Sequence, residues 1–239
     1  MWTSTALASE HRPYEGRAWR VVEAQHRIST SRLAADPDAQ TMLEDLAEEV
    51  KPRMPATTAG LDYLLASPFR YGHRQATRFR RADERPGIFY ASETESTAIA
   101  ETAYWRLRFF ARSPGFVPPS TTSEHSSFSV RLSSDAAIDL TQPPFDADEA
   151  HWTDPADYTV CQDLAAAARE AATSLIRTLS ARDPTRGCNL VVLDPRAFAE
   201  HKPRPGRTWH LRFDAGKLVA MAAFPSRERH AFAPEDFGL

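Results

Sequence analysis

The chain is poor in cysteine, has no long hydrophobic run and carries little net charge. Only Cys161 and Cys188 occur in 239 residues. Neither stands in a metal-ligand pair, so each reads as a small buried hydrophobe in a reducing compartment. The eight histidines are scattered. HExxH, HxH and Cys/His clusters are all missing, so no metal is expected. No apolar stretch reaches membrane-spanning length and the first residues lack a signal-peptide core, which predicts a cytoplasmic, unanchored protein. A net charge of −3 argues against a general nucleic-acid binder. GxGxxG, Walker A and GxSxG motifs are absent, as are internal repeats and heptads.

A 42% hydrophobic and 26% charged composition fits a globular chain with a real core. Residues 1–16 read as a loose tail and Ala18–Glu23 as a strand. Asp36 and Pro37 open a helix bearing Met42, Leu43, Leu46 and Val50, which should end at Lys51-Pro52. Residues 113–126 read as a flexible loop. Ser127–Leu132 and Ala137–Leu140 read as two strands, Leu175–Leu179 and Asn189–Leu193 as two more. Asp154-Pro155 should cap a helix containing Thr159. Thr208–Phe213 and Lys217–Phe224 read as a hairpin. The expected organisation is one α+β domain over 17–200 with a helical insertion near 36–65. Residues 201–239 would be a hairpin extension packed on it, and the sheet would be mixed or antiparallel.

The stretch from Arg78 to Glu101 stands out. Gly87–Ala91 reads as a strand after a turn signal. Ser92 and Glu95 match a capping box, which predicts a helix start there. That helix is apolar round most of its circumference, with one polar stripe of Thr97, Glu101, Arg108 and Arg112. A pinned helix would then hold Glu101 toward a cleft, beside Tyr90 on a strand and Arg78 in an arginine-rich turn. Cation, phenol and carboxylate together suit a phosphorylated, positively charged nucleotide such as NAD. On spacing alone the same residues also fit a solvated glutamate, a core tyrosine and a surface arginine. Six arginines lie between Arg70 and Arg85, mostly expected in a solvated loop. With Phe69, Tyr71 and Phe79 they also fit an RNA-stacking patch, although no nucleic-acid motif accompanies them.

In order and spacing, SPFRYG (67–72), TRFRRA followed by GIFYASETESTAIAETAYWR (77–106) and DYTVCQ (157–162) resemble the RES-domain family, toxins of Xre–RES toxin–antitoxin pairs. The resemblance implies a fold like that of ADP-ribosyltransferases. It implies cleavage of the nicotinamide–ribose bond of NAD, with phosphate, water or a protein as acceptor. By position it assigns catalysis to Arg78, Tyr90 and Glu101. Arg20, Thr159, Gln162, Ser180 and Asn189 are assigned to NAD binding. Thr159 stands where the family has a serine, which keeps the hydroxyl and adds a methyl group. It falls in the first turn of its helix, where free N–H groups suit a phosphate or ribose, or where it simply caps.

The resemblance further implies an Xre-type antitoxin as partner, nucleic acid only through that antitoxin, and compatibility with a homodimer in the complex. No cofactor is expected: NAD is the substrate and inorganic phosphate a co-substrate of the phosphorolytic version. The alternatives are a protein ADP-ribosyltransferase using the same site and a non-catalytic nucleic-acid or protein-binding module.

Overall fold

The computed structural model describes residues 2–23, 34–112, 115–118 and 121–239. Eight strands form one sheet in the order β1-β2-β5-β4-β3-β6-β7-β8, with β1 also pairing β3. They are β1 (Arg12–Glu23), β2 (Phe89–Ser92), β3 (Ser123–Asp139), β4 (Leu175–Leu179), β5 (Cys188–Val192), β6 (Arg204–Asp214), β7 (Lys217–Ala222) and β8 (Arg229–Phe232). Only β3 and β4 pair in parallel; the fold is α+β.

Because β1 pairs both β2 and β3, the first five strands close on themselves. The closure is uneven. β1 runs along β3 from Arg12 opposite Ala137 to Glu23 opposite His125, yet touches β2 only at Trp19 opposite Ser92. The two strands diverge beyond that pair and leave a gap between them.

Inside the closed strands pack Ala18, Val130, Leu175 and Leu190, all buried. A second cluster joins Leu7, Leu164, Ile176 and Val191 and seats α1 (Ser4–Ser9) and α6 (Thr159–Glu170). The first residues are therefore no loose tail. Thr3 caps α1 by accepting from Ala6 N, Leu7 is fully buried, and Trp2 packs on Phe145 at 4.4 Å between ring centres.

α4 (Glu95–Ala111) buries Ile99, Ala103, Tyr104 and Leu107 against Trp209, Leu218 and Phe237 of the β6–β8 region. That anchorage leaves the face of Ala98, Glu101, Thr102 and Trp105, one helical stripe, toward the gap. The expected polar stripe is displaced by one position. Thr97 is buried, and Phe109 is 61% exposed. The helix cap is Thr94, which accepts from Thr97 N. Ser92 instead ends β2 and donates to Asn189 Oδ1 at 2.7 Å.

The two strands expected at 127–132 and 137–140 are one, because β1 pairs along nearly the whole of β3 and Ser134 Oγ locally accepts from Ala136 N. Of the loop expected at 113–126, residues 113–114 and 119–120 lie outside the described residues, and 123–126 belong to β3.

α2 (Pro37–Glu49) starts at Asp36, as its sequence predicts, but buries nothing. It is followed by α3 (Tyr63–Arg70); α5 (Glu149–Trp152) precedes α6. Among the described residues no helix is long and apolar enough to cross a membrane.

Candidate functional site

The gap between β1 and β2 opens into a cavity of about 280 Å³. Trp19 and Arg20 come from β1, Tyr90 and Ser92 from β2, Glu101 and Trp105 from α4, Asn189 from β5, with Arg78, Tyr158 and Arg182 from loops. Five of the eight residues singled out in the sequence meet here. Arg20, Arg78, Tyr90, Glu101 and Asn189 line the cavity, and Ser180 reaches it through Glu101.

The carboxylate side is a completed hydrogen-bond chain. Glu101 Oε1 accepts from Ser180 Oγ at 2.7 Å and from Asn189 Nδ2 at 2.5 Å. Asn189 Oδ1 accepts from Ser92, which fixes which end of the amide faces the glutamate. Ser180 Oγ accepts from the backbone N–H groups of Arg182 and Asp183 at 3.0 and 2.8 Å, so its own hydrogen is left for Glu101. The loop lies close against α4. A Cβ on Gly187 would fall 2.0 Å from Thr97 Oγ1, so only glycine allows that approach. Glu101 Oε2 makes no hydrogen bond to the described residues.

The arginine side is built on a tight turn. Thr77 and Arg80 exchange backbone hydrogen bonds of 2.8 and 3.2 Å, which puts Arg78 and Phe79 at the tip. Tyr90 Oη accepts from Phe79 N at 3.2 Å and bonds Thr77 Oγ1 at 2.8 Å. Burial raises its pKa. Its hydroxyl thus holds the turn, while the residue also lines the cavity. Arg80, expected in a solvated loop, is 2% exposed and donates to the carbonyls of His73, Gln75 and Arg81. Arg78 Nη1 donates to Trp152 O at 2.8 Å and Leu179 O at 2.9 Å. Its Nε and other terminal nitrogen make no hydrogen bond to the described residues.

Arg20 is less satisfied still. Its Nη1 is out of water with no partner among the described residues, and its guanidinium lies 5.0 Å from the centre of the Phe89 ring. Burial pulls its pKa down to about 10. The residue as a whole is half-buried, but a guanidinium with one nitrogen drawn out of water and no counter-charge among the described residues is costly.

Thr159 and Gln162 do not line the cavity. Thr159 is exposed and engages Asp157, to which it donates its backbone N–H at 2.8 Å. The hydroxyl beside the glutamate is that of Ser180. Gln162 Nε2 donates to Thr77 O at 3.0 Å and Arg80 O at 3.4 Å, so it braces the Arg78 turn from behind. Arg182 and Tyr158, not singled out in the sequence, do line the cavity. In sequence, 180–188 reads as a turn-rich loop, and nothing local signals that Arg182 turns inward.

Among known proteins, no curated sequence matches. A solved structure that resembles the chain is the crystal structure of the M. tuberculosis MbcT–MbcA toxin–antitoxin complex. The identity is 13%, the TM-score 0.48, and the match covers 86% of this chain and 92% of that one. The RES domain model matches residues 53–214, which contain Arg78, Tyr90, Glu101, Ser180 and Asn189; the chain belongs to the RES domain family.

Proposed function

We propose that this protein cleaves the nicotinamide–ribose bond of NAD and acts as the toxin of a toxin–antitoxin pair. The observation that carries the reading is the pairing, in one cavity, of arginine cations that have no ion-pair partner among the described residues with a carboxylate held at one oxygen. NAD is both anionic at its pyrophosphate and cationic at nicotinamide. The cavity is small for a whole dinucleotide, so the nicotinamide–ribose end would enter and the rest would lie toward the mouth. Trp19, Trp105 and the ring of Tyr90 offer aromatic faces.

In the reaction the C–N bond breaks and nicotinamide leaves with the electron pair, becoming neutral. Positive charge grows at the ribose C1 and its ring oxygen. Glu101 Oε2 meets that charge from a position already fixed by Ser180 and Asn189, so little reorganisation is needed. Arg78 holds a phosphate, and Arg20 adds a second cation facing the anionic part of the substrate. Water or inorganic phosphate then adds at C1 and loses a proton. Cytoplasmic NAD loss would be lethal unless restrained, which fits the antitoxin partner implied by the family resemblance, of Xre type. No cofactor is needed beyond the substrate.

The test is a time course of NAD with the purified protein, with and without phosphate. The expected outcome is stoichiometric nicotinamide release; phosphate dependence then identifies the acceptor, and label retained on protein identifies a transferase. NAD that stays intact in both conditions, with no growth arrest on expression, overturns the reading.

A further inference from the structure

Most arginines with a defined partner in this protein meet a carboxylate. Arg70 pairs with Glu48, Arg81 with Asp163, Arg177 with Glu93 and Asp139, Arg186 with Glu149, and Arg207 with Glu95 and Glu228. The three arginines lining the cavity, Arg20, Arg78 and Arg182, form no ion pair among the described residues. Two of these three were expected from the sequence. The third has no role assigned so far.

Arg182 is 8% exposed and rigidly mounted. Its backbone N–H is fixed by Ser180 Oγ. The next residue, Asp183, closes the loop by accepting from Thr185 N at 2.9 Å and Gly187 N at 3.3 Å. The guanidinium carbon lies 4.0 Å from the centre of the Tyr104 ring, close enough for a cation–π contact. Nη2 donates to Pro155 O and to Tyr158 Oη, both at 2.7 Å. Its Nε and Nη1 have no partner among the described residues. Tyr158 Oη accepts from Arg182, so its own hydrogen is free to donate to a ligand oxygen.

Arg78 is mounted in the same way on the same segment: one terminal nitrogen reaches Trp152 O, where Arg182 reaches Pro155 O. Two guanidinium forks therefore sit on one wall, three residues apart in what they grip. Each keeps donors unspent. Such forks match phosphate oxygens bidentately, and two together match two linked phosphates better than one.

We propose that Arg182, with the Tyr158 hydroxyl, grips the second phosphate of a dinucleotide pyrophosphate whose first phosphate is held by Arg78. The proposal rests on the NAD reading and names the group within NAD that this wall recognises.

The test is calorimetric titration of the full chain with three ligands that are not consumed. ADP-ribose carries the pyrophosphate, AMP one phosphate, and adenosine none. Arg182→Lys keeps the charge and loses the fork. It should weaken ADP-ribose by roughly 10-fold or more, AMP by less than about 3-fold, and leave adenosine unchanged. Tyr158→Phe keeps the guanidinium and removes one of its mounts; it should show the same ligand pattern at roughly 3- to 10-fold. It decides the matter if Arg182→Lys melts well below wild type. ADP-ribose bound within twofold of wild type by the folded variant overturns the proposal and leaves the NAD reading standing. Wild-type protein that binds none of the three ligands overturns both.

Discussion

The two sides of the cavity are built on opposite principles. On the Glu101 side the carboxylate is held at one oxygen by a closed chain of donors: Ser92 serves Asn189, Asn189 and Ser180 serve Glu101 Oε1, and backbone N–H groups serve Ser180, while Oε2 stays open. On the arginine side the turn itself is tightly braced, but among the described residues the cavity guanidiniums have no carboxylate partner, and Arg20 Nη1 is out of water without a hydrogen bond. A saturated network fixes a group before a ligand arrives. An unsatisfied one leaves a cost in the empty protein that a ligand of the right charge removes. Under the proposed reading, the chemistry belongs to the first wall and the recognition to the second.

The largest expected effect tests the first wall. In Glu101→Gln the new carbonyl oxygen can still accept from Ser180 and Asn189, so the network and the fold should survive. What disappears is the negative charge facing the ribose. Nicotinamide release should fall on the order of 100- to 1000-fold, with a melting temperature within a few degrees of wild type. Near-native turnover in a well-folded Glu101→Gln would remove the distinction between the walls.

The second test separates binding from stability. Arg20→Met fills similar space and removes the unpaired cation. The folded-state pKa of Arg20 lies near 10, below the usual guanidinium value. The cost of keeping it charged is thus fully present below about pH 10 and fades only as pH rises through that value. At neutral pH Arg20→Met should be more stable than wild type by on the order of 1 kcal/mol, a rise of roughly 2–4 °C. The KM for NAD should rise roughly 10-fold or more while kcat changes less. A variant that is destabilised and binds NAD normally would make Arg20 a structural residue.

What the sequence made legible follows the same division. Arg78, Tyr90 and Glu101 are close in the chain, and strand, turn and helix signals between them could be read locally. The C-terminal hairpin around Ala215-Gly216 was equally readable, because Gly216 at φ +80° is a local requirement. Exposure was not. α2 and α4 both show cap and apolar spacing, yet α4 is buried while α2 leaves Met42 and Leu46 at 66% and 52% exposure. Capping is decided within one turn; burial depends on whether another element arrives. The cavity itself depends on β1 and β2 meeting at a single pair, a long-range fact with no local signature. Arg182 was invisible for the same reason, since Tyr104, Pro155 and Tyr158, all distant in the chain, turn it inward.

The smallest expected effect concerns the hydroxyl that the sequence pattern and the structure assign differently. Alignment of motifs points to Thr159, at the start of a helix where a phosphate could sit. The structure puts that side chain at the surface, on Asp157, and gives the glutamate's hydroxyl partner to Ser180. Thr159→Val keeps shape and β-branching and removes only the hydroxyl. It should change stability by less than about 0.5 kcal/mol and NAD turnover by less than about twofold. Ser180→Ala is the matched control. It strips a donor from Glu101 and leaves the backbone N–H groups of Arg182 and Asp183 unpaired, at a cost of roughly 1–3 kcal/mol. Turnover should drop about 10-fold, because Glu101 is then held by Asn189 alone. Measuring both variants side by side, for melting temperature and nicotinamide release, decides which hydroxyl belongs to the saturated wall. A loss confined to Thr159→Val would move the ribose-facing hydroxyl to the N-terminus of α6 and make the Ser180 bond a loop tether.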